Sequence, residues 1–206
     1  MIISKHQSQQ VAEILLNINA VKLQPSNFFT WSSGKKSPIY CDNRVVLSHP
    51  NERTKIQNIF TECIHTKFES IDYIAGVATG AIAHGMMVAS KLQLPFIYVR
   101  DNAKKHGRQN QIEGQLKKGS NVIVIEDLIS TGKSSINAIQ AIEKSGSTVN
   151  GLISIFTYGF FNVKQLNIPC ISLCDYNTLI KVALDKKIIQ EEEKRILANW
   201  QQTFNI

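Results

Sequence analysis

Val122-Ile-Val-Ile-Glu-Asp-Leu-Ile-Ser-Thr-Gly-Lys-Ser-Ser135 opens with four apolar residues, passes two adjacent carboxylates and ends in small residues. A short continuous apolar run bounded by turn residues reads as a strand buried on both faces. The spacing that follows in SSINAIQAIEKSG (134–146), closed by Gly146, reads as a helix. Between them, Ser130 to Ser134 offer hydroxyls and backbone N–H groups at a helix N-terminus, where aligned peptide dipoles favour a phosphate. GKS at 132–134 also ends the GxxxxGKS nucleotide loop, but the first glycine of that pattern is Asp127 here, and its carboxylate would repel a triphosphate. Glu126 and Asp127 instead suit a ligand with ribose hydroxyls beside its phosphate, since carboxylates accept from a vicinal diol. They also suit a transition state that develops positive charge. The plainer reading is a strand–loop–helix corner capped by Ser130 or Thr131, although a cap does not require two acids at the end of a buried strand.

Outward from this stretch, YIAGVA (73–78), PFIYV (95–99), TVNGLISIFTY (148–158) and CISLC (170–174) read as further strands, and AIAHGMMVASKL (81–92) as a helix. The alternation predicts an α/β fold: a parallel-sheet core covered by helices. Ligands bind beyond the carboxyl ends of strands in such sheets, so the loops after Ala78, Val99 and Glu126 are where chemistry is expected. Residues 4–20 read as an amphipathic helix with Val11, Ile14, Leu15 and Ile18 on one face, 27–46 as a short β element, and 176–203 as two helices. We expect one domain over 1–206, with a core at about 50–175 and a small hood subdomain, from about 1–49 and 176–206, leaning over the strand tips.

At 206 residues and 43% hydrophobic, the chain can bury one sizeable core. No run approaches the ~18 apolar residues of a membrane span. The start, MIISKHQSQQ, lacks the apolar region of a secretory signal, so a soluble cytoplasmic protein with no membrane partner is expected. Cys41, Cys63, Cys170 and Cys174 show no framework spacing and read as reduced thiols. The net charge of +7 is concentrated: Arg100, Lys104, Lys105, Arg108, Lys117 and Lys118 face only Asp101 and Glu113 within 100–118. Such a segment suits a multiply charged anion, or else is a solvated loop whose lysines confer solubility.

The apolar strand, Glu126-Asp127, two apolar residues and Ser-Thr-Gly together resemble the diphosphate-sugar signature of the type I phosphoribosyltransferases. Three more segments resemble the orotate branch of that family. Tyr98-Val-Arg100 with Ala-Lys-Lys-His-Gly (103–107) and Asn110-Gln-Ile-Glu-Gly114 is similar to its mobile catalytic loop, and Gly76-Val-Ala-Thr-Gly80 to its diphosphate loop. Phe29-Thr-Trp-Ser-Ser-Gly34 with Ser37-Pro-Ile-Tyr-Cys-Asp-Asn-Arg44 is similar to its hood over the base. The match runs from about residue 29 to 135 in the family's order.

The resemblance implies an enzyme that moves the phosphoribosyl group of 5-phosphoribosyl 1-diphosphate to orotate, giving orotidine 5′-monophosphate and diphosphate, in UMP biosynthesis. It implies Mg²⁺ as cofactor, carried by substrate oxygens and waters rather than by a protein cage. It implies a homodimer with shared sites and no nucleic-acid partner. By the same resemblance Lys104, Glu126 and Asp127 are the catalytic candidates. Arg100, Lys104, His106 and the run Glu126, Asp127, Leu128, Ile129, Ser130, Thr131, Gly132, Lys133 and Ser134 would bind the diphosphate sugar, with Ser130 also touching orotate. The chain departs from many members at Asp101 and from some at Ser32, Gly80, Ala81, Ala83, Lys133 and Tyr158, so the resemblance bears more closely on the phosphate sites than on the base contacts. His84 reads as structural, Phe28, Phe29 and Trp31 as either hood core or a platform for the base, and Tyr40 and Arg44 stay open. Two alternatives remain: the same chemistry on another base, and an RNA-binding regulator on the same fold.

Overall fold

The computed structural model describes residues 2–31, 34–101 and 111–204. In chain order the elements are α1 (Lys5–Asn17), β1 (Val21–Leu23), β2 (Phe29–Thr30), β3 (Lys36–Ser37), β4 (Ile39–Cys41), a 3₁₀ turn (Asn43–Ser48), α2 (Pro50–Lys67), β5 (Tyr73–Val77) and α3 (Ile82–Leu92). There follow β6 (Phe96–Val99), β7 (Ile112–Glu113), β8 (Asn121–Ile129), α4 (Lys133–Lys144), β9 (Thr148–Thr157), a second 3₁₀ turn (Val163–Leu166), β10 (Cys170–Asp175), α5 (Tyr176–Asp185) and α6 (Glu191–Gln202).

Six strands form one sheet in the order β10-β9-β8-β5-β6-β7. Neighbours are parallel except β7, which turns back antiparallel on β6 through Tyr98↔Glu113 and Val99↔Ile112. The expected parallel core is present, with one antiparallel strand at its edge. Residues 73–77, 122–126 and 151–156 are buried throughout, as continuous apolar strands covered on both faces should be. The connections β5–α3–β6 and β8–α4–β9 run outward in opposite directions from the sheet centre. Right-handed crossovers therefore put α3 and α4 on opposite faces. The strand order reverses between β5 and β8, so loops 78–81 and 130–132 flank the crevice where such sheets hold ligands.

Several boundaries differ from the sequence expectation. β8 runs three residues past Glu126, because the long partner β9 continues the ladder through Leu128↔Phe156 and Ile129↔Thr157. The β element expected over 27–46 is a two-residue hairpin (Phe29↔Ser37, Thr30↔Lys36), then β4 paired with β1, then a 3₁₀ turn. The 18-residue helix α2 adds an element to those expected, and its Ile56, Ile59, Phe60, Cys63 and Ile64 bury one helical stripe.

The two ends of the chain meet the sheet differently. Helix α1, N-capped by Ser4 whose hydroxyl accepts from Gln7 N, buries Val11 and Leu15 as it packs on α5 and β10. Segment 29–41 is tied to α6 instead: Trp200 Nε1 donates to Lys36 O at 3.2 Å. Trp31 packs among Tyr158, Trp200 and Phe204 with ring centroids 5.5–6.1 Å apart. Among the described residues no helix is long and apolar enough to cross a membrane.

Candidate active site

At the tip of β8 the two adjacent acids part company, because successive residues of a strand point to opposite faces. Glu126 turns inward and is 5% exposed. Its Oε1 accepts from Asp127 N at 3.1 Å and its Oε2 from Ser135 Oγ at 3.2 Å, so it braces the loop against the first turn of α4. Burial first, and the charge of Asp127 second, push the Glu126 carboxyl well above the usual carboxylate range. Asp127 is half-buried and lies against Gly80, where an added Cβ would fall on its carboxyl group. Only glycine lets loop 78–81, whose Ala78–Thr79 peptide is cis, come this close to the acid.

Beyond Asp127 the chain keeps its contact with β9. The Ile129 carbonyl accepts from Tyr158 N and from Thr157 Oγ1, both at 3.2 Å, which fixes the base of the loop. Leu128 and Ser130 are half-buried, Thr131 and Lys133 exposed. Gly132 turns the chain at φ +76° beneath Phe161, whose ring would meet an added Cβ at 2.6 Å. Gly132 is also the N-cap of α4 and supplies no side-chain acceptor, and the first turn carries no acid. A helix end without a side-chain cap, or an acid of its own, suits an external anion, and Ser130–Ser134 form its rim.

Arg100 stands at the tip of β6, two strands from β8 in the same sheet. Its N–H donates to Gln111 O at 2.9 Å and Gln111 Nε2 donates back to Arg100 O at 2.9 Å, so the two stems of the basic segment are held together. Arg100 Nη1 lies 3.5 Å from Glu113 Oε1, an ion pair whose arginine side chain is 42% exposed. Lys104 and His106, with Lys105 and Ser32, lie outside the described residues. In segment 29–41, Trp31 donates from Nε1 to Ile39 O at 3.2 Å and is partly buried against the hydrophobic core. Phe29 instead packs against Tyr40, which is 41% exposed, with the rings tilted and their centroids 5.8 Å apart. Arg44 is held by Asp42 at 2.7 and 2.9 Å, which keeps the Asp42 carboxyl below its usual range.

The phosphoribosyl transferase domain model matches residues 43–159. Orotate phosphoribosyltransferase of Staphylococcus saprophyticus is 46% identical over 202 residues, spanning 96% of this chain and 100% of the relative. This chain belongs to the orotate phosphoribosyltransferase family. The family's protein from Listeria innocua is 48% identical over 198 residues, 94% of this chain and 95% of the relative. Among solved structures, orotate phosphoribosyltransferase from Aeropyrum pernix superposes with a TM-score of 0.74 at 27% identity, covering 83% of this chain and 96% of that one. The parallel core covered by helices is thus the phosphoribosyltransferase fold expected from the resemblance.

Within this family fold, two side chains beside the β8 tip escaped the sequence reading. Ser135 stood in the quoted stretch, but only the packing of α4 reveals that its hydroxyl meets Glu126. Asn43 is fully buried and donates from Nδ2 to Asp127 O at 2.6 Å. Its one sequence signal was its place in the hood motif. Among the described residues no group of three or more His, Cys, Asp or Glu side chains is arranged to hold a metal.

Proposed function

We propose that this protein transfers the phosphoribosyl group of 5-phosphoribosyl 1-diphosphate to orotate, giving orotidine 5′-monophosphate and diphosphate in UMP biosynthesis. The observation that carries the reading is the half-exposed Asp127 beside an uncapped, glycine-turned helix N-terminus at the sheet's switch point, in a chain of the orotate phosphoribosyltransferase family. In this reading Ser130, Thr131, Gly132, Lys133 and Ser134 hold the 5′-phosphate through backbone N–H groups and hydroxyls, and Leu128 and Ile129 contribute backbone to the same loop. Asp127 accepts from the ribose hydroxyls and faces the cationic ribose that develops as the orotate ring nitrogen bonds to C1 and the bond to diphosphate breaks. Glu126 belongs to the same sugar-binding pair, and its bond from Ser135 braces the loop. Arg100, Lys104 and His106 contact the diphosphate, and Lys104 balances its charge as it leaves. Ser130 also touches orotate.

The donor set suits Mg²⁺ only as a passenger of the substrate. Glu126 is engaged by Asp127 N and Ser135 Oγ, so Asp127 and substrate oxygens are the hard donors left at this tip. When bound, the ion supplies charge neutralisation for the departing diphosphate. We place the reaction in the cytoplasm, in one catalytic domain with a core at about 50–175 and a hood from 1–49 and 176–206. The working unit in this proposal is a homodimer with shared sites. Mixing inactive Lys104→Ala and Asp127→Asn chains should then restore roughly a quarter of wild-type activity per site.

The test of the activity is the loss of orotate absorbance with 5-phosphoribosyl 1-diphosphate and Mg²⁺, repeated with uracil, adenine, hypoxanthine and guanine. Orotate alone should turn over. Turnover of a purine but not of orotate would overturn the reading.

A further inference from the structure

Asn43 is fully buried, yet its amide is not spent on its own turn. Burying an amide costs free energy unless each polar group finds a partner. Here the partners come from three parts of the fold. Asn43 Nδ2 donates to the Asp127 carbonyl at 2.6 Å, at the tip of β8. Its main-chain carbonyl accepts from His84 Nε2 at 3.2 Å, on the helix that follows loop 78–81. Its Oδ1 is 3.5 Å from Cys41 Sγ, at the end of hood strand β4. The Asp127 carboxyl meanwhile rests against Gly80 of loop 78–81. The hood, through Asn43, and the loop after β5, through Gly80, therefore meet at Asp127 on the tip of β8, and Asn43 is the residue that ties that tip to the hood and to helix α3. His84 is 1% exposed, and burial lowers its pKa, so the imidazole is held neutral as a donor to Asn43.

We propose that Asn43 is a positioning residue for the transfer reaction: buttressed by His84, it grips the Asp127 carbonyl and so aims the Asp127 carboxylate at the ribose. The inference rests on the function proposed above and deepens it. A purely structural asparagine would matter to stability and would act on catalysis independently of Asp127. A positioning asparagine acts through Asp127, whose contact is realised in the transition state, and its removal should lower kcat far more than it raises KM.

The test is a double-mutant cycle on the full chain with orotate, 5-phosphoribosyl 1-diphosphate and Mg²⁺. Asn43→Ala should cost about tenfold or more in kcat, with less than about a threefold rise in KM for the diphosphate sugar. Asn43→Ser, which keeps a small hydroxyl donor, should lose less, and it replaces the alanine variant in the cycle if that chain fails to fold. In the Asp127→Asn background the Asn43 substitution should have little further effect on kcat, because the group it aims is gone. Losses that multiply across the two sites overturn the inference, as does wild-type kcat in both Asn43 variants while the wild type turns over orotate. A wild type that turns over no orotate overturns the functional reading and this inference together.

Discussion

At the tip of β8 the loop 126–132 is tied on several sides: Ile129 to β9, Glu126 to Ser135, the Asp127 carbonyl to Asn43, and Gly132 beneath Phe161. At the tip of β6, Arg100 is held by an edge ladder of two residue pairs, two bonds to Gln111 and a half-exposed ion pair with Glu113. An exposed pair of that kind is worth ~0–1 kcal/mol, whereas each buried bond at the β8 tip would leave a costly orphan if broken. The difference separates two tasks. In the proposed reaction, the site that must be complementary to a transition state is set in advance by buried contacts, and the cation proposed to meet the diphosphate sits on the solvated edge.

The comparison breaks most sharply at Asp127. Asp127→Asn is nearly isosteric but removes the charge that faces the cationic ribose, so we expect a loss on the order of a hundredfold or more in kcat with the fold retained. Near-wild-type turnover in a folded variant would place the electrostatic work elsewhere. Arg100→Ala should be milder and of another kind: roughly a tenfold rise in KM for the diphosphate sugar at low salt, shrinking as salt is added, because an exposed cation is screened. Steady-state kinetics at two ionic strengths check this, and a salt-independent loss confined to kcat would erase the contrast between the two tips.

The smallest effect concerns the buttress behind the β8 tip. Burial lowers the His84 pKa from 6.5, against the opposing pull of Asp127 and the bond to the Asn43 carbonyl. The unfolded chain takes up a proton below about pH 6.5 that the folded chain resists, so this contribution is complete above that pH and is lost as the pH falls toward the lowered value. Denaturant midpoints measured at about pH 7.5 and about pH 5.5 should therefore drop on acidification, and drop less in His84→Gln. An equal drop in both chains would remove His84 from the account.

The same contrast explains what could be read from the sequence. The β8 stretch was legible because burial on both faces writes a continuous apolar run, and a phosphate-ready helix start writes small residues and glycine. The parallel core followed from the alternation of such strands with helices, whereas the order β10-β9-β8-β5-β6-β7 did not, and the phosphate cradle at 130–134 stays a proposal built on that pattern. The opposite fates of Glu126 and Asp127 were not visible, because which face of β8 each side chain takes depends on where α4 delivers Ser135 and where Gly80 opens space. Asn43 was hidden for a similar reason: its partner is 84 positions away, and no local spacing marks such a contact. Helix α2 is a different case, since its buried stripe is carried by the local spacing of the sequence.

Central to all of this is the claim that the diphosphate sugar seats on the β8 tip. Residue-resolved hydrogen exchange on the full chain, with and without 5-phosphoribosyl 1-diphosphate and Mg²⁺, tests it most directly. The amides of Thr131–Ser134 should become protected on ligand addition while those of α5 (176–185) stay as they were. Unchanged exchange at 131–134 under saturating ligand, or protection that appears only elsewhere, would contradict the account.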